Sequence, residues 1–161
     1  MAKHVLNTGD DELNFTLIGI ACAEDQYRMI SLLNDALNIQ LYLSDYLALL
    51  AKDDKVFKFS LFRFVDEDLR LEINCIPNNS NFEEPHIEQA QSLDLFNGLK
   101  LDESSKLIRE LPKTDYFLML KGDESHTHQF VVIDKLKKIS EILQIQSIEP
   151  HELSSRKNLI F

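Results

Sequence analysis

Tryptophan is absent from the 161 residues, and cysteine, glycine and proline are scarce, at two, four and four. Each scarcity closes off a class of explanation. Cys22 and Cys75 lie far apart and outside any CxxC pair, so neither a zinc finger nor a disulfide framework is offered. Both thiols are expected to be reduced, which points to the cytoplasm. Gly9, Gly19, Gly98 and Gly122 never cluster into a GxGxxG or P-loop phosphate cradle, and no G-x-S-x-G elbow occurs. Basic residues are short as well. Lys and Arg total 17 against 27 Asp and Glu, and the resulting charge of −10 repels a phosphate backbone and argues against nucleic acid as a partner. No apolar run approaches the length of a bilayer span. The opening Met1 to Asn7 lacks the apolar core of a secretory signal, so no membrane partner is expected.

What is present is ordinary for a folded chain: 44 % of residues are apolar, and the length suits one α+β domain over 1–161. Phe15 to Ala21 is apolar on both of its period-two faces, the pattern of a strand covered on both sides. From Glu24 to Asn38, Met29, Ile30, Leu33 and Leu37 gather on one side at helical spacing, with Glu24 and Asp25 in the first turn. Ile39, Leu41 and Leu43 alternate with polar residues as in a half-buried strand. Ser44 or Asp45 is then placed to cap a short helix through Ala51. A hairpin follows, with arms Val56 to Val65 and Leu69 to Ile76 around Asp66-Glu67-Asp68. The first arm changes phase after Leu61, which predicts a bulge or two-sided burial there.

Pro77 to His86 is polar and predicts a surface loop, within an irregular acidic insertion over 78–105 that includes a hairpin at Asn97-Gly98. The last third repeats the opening: a doubly apolar strand at Tyr116 to Leu120, a helix from His128 to Ile142, and a strand from Leu143 to Ile148. Two strand–helix–strand units predict a two-layer sandwich with a ferredoxin-like double βαβ core. The lead strands lie side by side, the helices share one face, and the hairpin and insertion extend an edge. A doubly wound parallel sheet would need more helices and no hairpin.

Near the second unit, Ile108-Arg109-Glu110 and Thr114-Asp115-Tyr116 resemble the signature of the bacterial IPExxxVDY family. Ile108, Glu110, Asp115 and Tyr116 hold four of its six fixed letters, with Arg109 in place of Pro and Thr114 in place of Val. The ending Asn158-Leu159-Ile160-Phe161 is also similar. The resemblance implies no chemistry, because that family has no assigned activity.

Physical chemistry offers these letters two roles. Asp115 suits a turn leading into a strand, and Tyr116 a packed ring with a bonded hydroxyl. Alternatively Asp115 and Tyr116 join Glu110 at the lip of a pocket as acid–base groups of a small enzyme. Elsewhere, Cys22 precedes a helix, but Glu24 and Asp25 oppose a thiolate, so it reads as a small core residue. His126 and His128, with Asp123 and Glu124, carry ligand chemistry for a metal-binding regulator, yet the same stretch serves as a polar cap of the second helix through Ser125 or Thr127. The leading expectation is a non-enzymatic binding or interaction module without cofactor. Its partner is a protein or small molecule, and exposed sheet edges favour a homodimer.

Overall fold

The computed structural model describes residues 13–50, 56–83 and 105–161. In its sheet β1 (Phe15–Cys22) is flanked by β7 (Tyr116–Lys121) and β8 (Ile142–Ile148), both antiparallel to it. Leu17 lies opposite Met119 and Ile18 opposite Leu118, and all four are fully buried. The two lead strands are therefore neighbours, hidden from water on both faces, as their doubly apolar pattern requires.

The helices cover one face. α1 (Gln26–Leu37) buries Met29, Ile30, Leu33 and Leu37, while Asp25 caps it by accepting the N–H groups of Tyr27 and Arg28 at 2.9 and 3.0 Å. Asn38 closes the helix in the left-handed region at φ 54, a conformation Asn tolerates. Helix α2 (Ser125–Leu136) begins earlier than the apolar stripe predicts and stops six residues sooner. Ile139 keeps helical spacing from Leu136, but it reaches the core from a turn in which its N–H bonds Leu136 O. Gly122, at φ 148, sets where β7 ends. A Cβ there would fall 2.4 Å from the carbonyl oxygen of Arg70, so only glycine lets the chain pass the hairpin turn.

The hairpin does not extend an edge. β3 (Val56–Asp66) and β4 (Leu71–Pro77) insert into the sheet, with β4 pairing β7 and β3 pairing β2 (Tyr42–Leu50). Six strands thus run β2-β3-β4-β7-β1-β8, all antiparallel to their neighbours. The turn is longer than predicted, and Leu71, not Leu69, starts the second arm. Arg70 at φ 48 makes the corner, and Leu69 is left exposed.

β2 replaces the short helix expected after Ser44, because pairing along β3 outweighs local helix preference. The register shifts between Leu43 and Asp45, and the Ser44 hydroxyl donates to Leu61 O at 3.2 Å. The bulge predicted near Leu61 therefore sits on the partner strand. β3 is also buried on both sides: Phe57, Phe59 and Leu61 face one cluster and Phe62 the other. Where β4 departs, β5 (Asn79–Glu83) takes over pairing with Val56 to Lys58, and the two-residue β6 (Ser105–Lys106) pairs β5. The start of the supposed surface loop is thus sheet, with Asn78 and Ser80 buried. The remainder of the insertion and the Asn97-Gly98 hairpin lie outside the described residues.

The face away from the helices is not open to solvent. Leu17, Phe59, Ile76, Phe117 and Met119 pack there under Leu107, Ile108, Leu153 and Leu159. The cover is irregular chain, 107–114 and the tail, with short 3-10 turns at Pro150–Glu152 and Arg156–Leu159. Leu159 is buried within its own chain, whereas Ile160 and Phe161 remain exposed. No helix among the described residues is long and apolar enough to cross a membrane.

Candidate functional site

The segment carrying Ile108, Glu110, Asp115 and Tyr116 is held by a residue the sequence pattern did not single out. Asn78, fully buried between β4 and β5, accepts the Ile108 N–H on Oδ1 at 2.8 Å. Its Nδ2 donates to Leu111 O and Thr114 O at 3.0 and 2.8 Å. Its backbone N–H bonds Asp115 O, and its carbonyl accepts from Leu107 N–H. One side chain thus satisfies the backbone polar groups of a buried segment that has no ladder of its own.

The signature residues extend this knot. Ile108 fills the core beneath it. Asp115 donates its N–H to Ile20 O and accepts the Cys22 N–H on Oδ2, each at 2.9 Å, stitching the end of β1 to the start of β7. The Tyr116 ring lies in the helix-side core, and its hydroxyl donates to Glu24 O at 2.5 Å. Burial first, then nearby thiols and acids, pushes the Tyr116 phenol well above its ordinary value. Thr114 is buried, and its hydroxyl oxygen accepts from Gln146 Nε2 at 3.1 Å.

Glu110 does a different job. It accepts the Ser155 N–H and hydroxyl at 2.6 and 2.7 Å, pinning the tail that covers the sheet. Desolvation works to raise the Glu110 carboxyl, but the Ser155 hydrogen bonds prevail and hold it below its ordinary range.

These groups do not converge. Asp115 and Tyr116 line a cleft of about 730 Å³ between the start of α1 and the β2–β3 floor, together with Cys22, Tyr27, Tyr46 and Lys58. Glu110 lines a separate concavity of about 290 Å³ with Gly19, Thr114 and Gln146. The acid–base trio is split between the two, and each member is engaged with backbone.

His126 and His128 stand in the first turn of α2, two positions and so about 200° apart around its axis, which points them away from one another. Among the described residues, no group of three or more His, Cys, Asp or Glu side chains is placed to hold a metal. Neither Ser125 nor Thr127 caps the helix; Glu124 stands at that position without a side-chain bond. Both cysteines are buried and unpaired. Burial pushes the Cys22 thiol up against the opposing pull of a backbone hydrogen bond at Glu24, and burial drives the Cys75 thiol to about 12. Tyr27 is exposed, and its ring meets Phe62 edge-on at 6.3 Å.

The structure also shows a polar group on the covered face of the sheet. Glu72 and Asn74 face the tail side of the sheet, where Asn74 is fully enclosed and Glu72 pairs with Arg63 at 2.6 Å.

Compared with known proteins, no family profile matches the chain, no curated protein aligns with it, and no solved structure matches its fold.

Proposed function

We propose that the chain is a non-enzymatic interaction module that works as a homodimer joined through β2. One observation carries this reading. β2 is a nine-residue edge strand whose outer side no described strand pairs, and Tyr42, Tyr46 and Leu50 on it are 59 %, 51 % and 72 % exposed. Edge strands are ordinarily blunted by lysine, proline or brevity. β2 has none of these, and Asp45 is its one charged residue. A second copy suits it because antiparallel pairing of a strand with itself is symmetric and closes as a two-fold dimer. Centring the pair on Tyr46 sets Tyr46 against Tyr46 and Tyr42 against Leu50. The opposite edge is less suited, being shorter, with Gln146 and Ser147 of β8 engaged to Thr114 and Gln129.

The engagement of Glu110, Asp115 and Tyr116 in backbone support favours binding over catalysis. Membership of the IPExxxVDY family is part of the proposal, since Ile108, Asp115 and Tyr116 extend the knot around Asn78 and Glu110 pins the tail that covers the sheet. So is a ferredoxin-like ancestry: with the β3–β4 hairpin set aside, the strand order reads β8-β1-β7-β2. The buried, unpaired thiols favour a reducing compartment such as the cytoplasm.

Light scattering on the size-excluded protein tests the dimer. Tyr46→Lys would set like charges opposite each other and yield a monomer with unchanged circular dichroism. A wild-type monomer at high concentration, or a dimer indifferent to both Tyr46→Lys and Leu50→Lys, discards the β2 interface.

A further inference from the structure

Arg63 on β3 and Asn74 on β4 stand directly opposite one another on the sheet face away from the helices. Glu72 organises both. Its Oε2 accepts from Arg63 Nη2 at 2.6 Å, and its Oε1 accepts from Asn74 Nδ2 at 2.7 Å. Desolvation opposes the Glu72 charge, but the bonds from Asn74 and Arg63 prevail and hold its carboxyl below the ordinary range. An ionised carboxylate only accepts, so Asn74 must present its amino group to Glu72 and turn its carbonyl away. A donor, Arg63 Nε–H, and an acceptor, Asn74 Oδ1, are then left buried and without partners on residues that face each other across the ladder. Buried polar groups are nearly always satisfied, so two unmet groups of opposite sense on one face ask for a partner.

A cavity of about 350 Å³ adjoins them, lined also by Asp45, Leu61, Lys121 and Phe161. We propose that it binds a neutral carboxamide, whose carbonyl accepts from Arg63 Nε–H and whose N–H donates to Asn74 Oδ1. Charge enforces the class. A carboxylate would face Glu72, Asp45 and the Asn74 carbonyl, and an ammonium would face Arg63 and Lys121. A carboxamide offers an acceptor and a donor on one carbon, with no net charge to desolvate. Because Asn74 is enclosed, the ligand enters as Lys121 and Phe161 swing aside. The ammonium of Lys121 lies 4.4 Å from the Phe161 ring centroid, a weak clasp between two partly exposed side chains. The carboxamide belongs either to a free small molecule or to an Asn or Gln side chain of a peptide. Asp45 lies on β2, but the two groups that bond the amide belong to β3 and β4, so the site does not rest on dimerisation.

The test is a titration of the full ¹⁵N-labelled chain with benzamide, following the Arg63 Nε–H resonance. A saturable shift is expected, with benzoate and benzylamine at least roughly tenfold weaker. Phe161→Ala should tighten benzamide binding, and Asn74→Leu should weaken it by roughly tenfold. A peptide acetyl-Gly-Gln-Gly-amide that outcompetes its Ala counterpart assigns a peptide source; equal peptides leave the free amide. Benzoate binding as well as benzamide, or no saturable shift in either the wild type or Phe161→Ala, overturns the site. Should Asn74→Leu fail to fold, Phe161→Ala still decides, because an affinity it leaves unchanged also overturns the proposal.

Discussion

Asn78→Ala is the sharpest perturbation of the knot. The substitution removes a partner from four backbone groups: the Ile108 N–H and the carbonyls of Ile108, Leu111 and Thr114. Ile108 O and Leu111 O keep second partners, the Leu111 N–H at 3.3 Å and the Thr114 N–H at 3.1 Å, so their loss is mild. The other two lose the partner that the side chain provides. Leaving a buried group unpaired costs about 1–3 kcal/mol, so the two together cost about 2–6 kcal/mol. That is a large share of a typical domain's stability, about 5–15 kcal/mol. Urea unfolding followed by far-ultraviolet circular dichroism measures the loss, and tyrosine fluorescence offers a second probe in a chain without tryptophan. Asn78→Asp should be at least as harmful, because it keeps the acceptor for Ile108 but faces two carbonyls with a negative group. A loss below about 1 kcal/mol for Asn78→Ala would refute the accounting, since it would place Asn78 among ordinary surface substitutions.

Tyr116→Phe removes only the bond to Glu24 O and should cost about 1 kcal/mol by the same urea measurement. Glu110→Gln should matter by pH. The folded carboxyl is held below its unfolded value, so the unfolded state binds more protons in acid. The stabilisation is present above the unfolded carboxylate pKa and is lost as pH falls through the lowered folded one. The stability gap between wild type and Glu110→Gln should therefore close as pH drops through the carboxylate range. Neither thiol should react with a disulfide reagent in the native state, and both should react in urea, because Cys22 and Cys75 are buried with raised pKa values.

The doubly apolar strands at Phe15 and Tyr116 and the stripe of α1 were legible because burial on both sides, or along one helical face, leaves a periodic mark. The β2 strand was not. Its exposed Tyr46, Ala48 and Leu50 alternate with half-buried Leu47 and Leu49, so no polar–apolar rhythm announces a strand, and Ser44-Asp45 looks like a helix cap. The extent of α2 was misjudged because a turn can deliver Ile139 to the core at helical spacing. Of the signature residues, sequence chemistry anticipated that Tyr116 packs with a bonded hydroxyl, whereas Asp115, expected to serve a local turn, bonds across to the Cys22 N–H instead. It could not anticipate Asn78, since an Asn after a proline looks the same whether it faces water or threads a buried segment. Nor could it foresee that the second face is covered by irregular chain, because such cover has no period.

The placement of β1 has a consequence for how the chain assembles. Both of its neighbours come from the last third: Phe15 pairs with Lys121, and Leu17 with Ile148. On the ribosome this largely apolar segment waits, bare on either side, while the β3–β4 hairpin between can form from local contacts. Distant pairings of this sort slow folding and leave sticky intermediates. Synthesis and refolding should thus be limited by the wait of Phe15–Cys22 for its partners, the stage at which a holdase would bind.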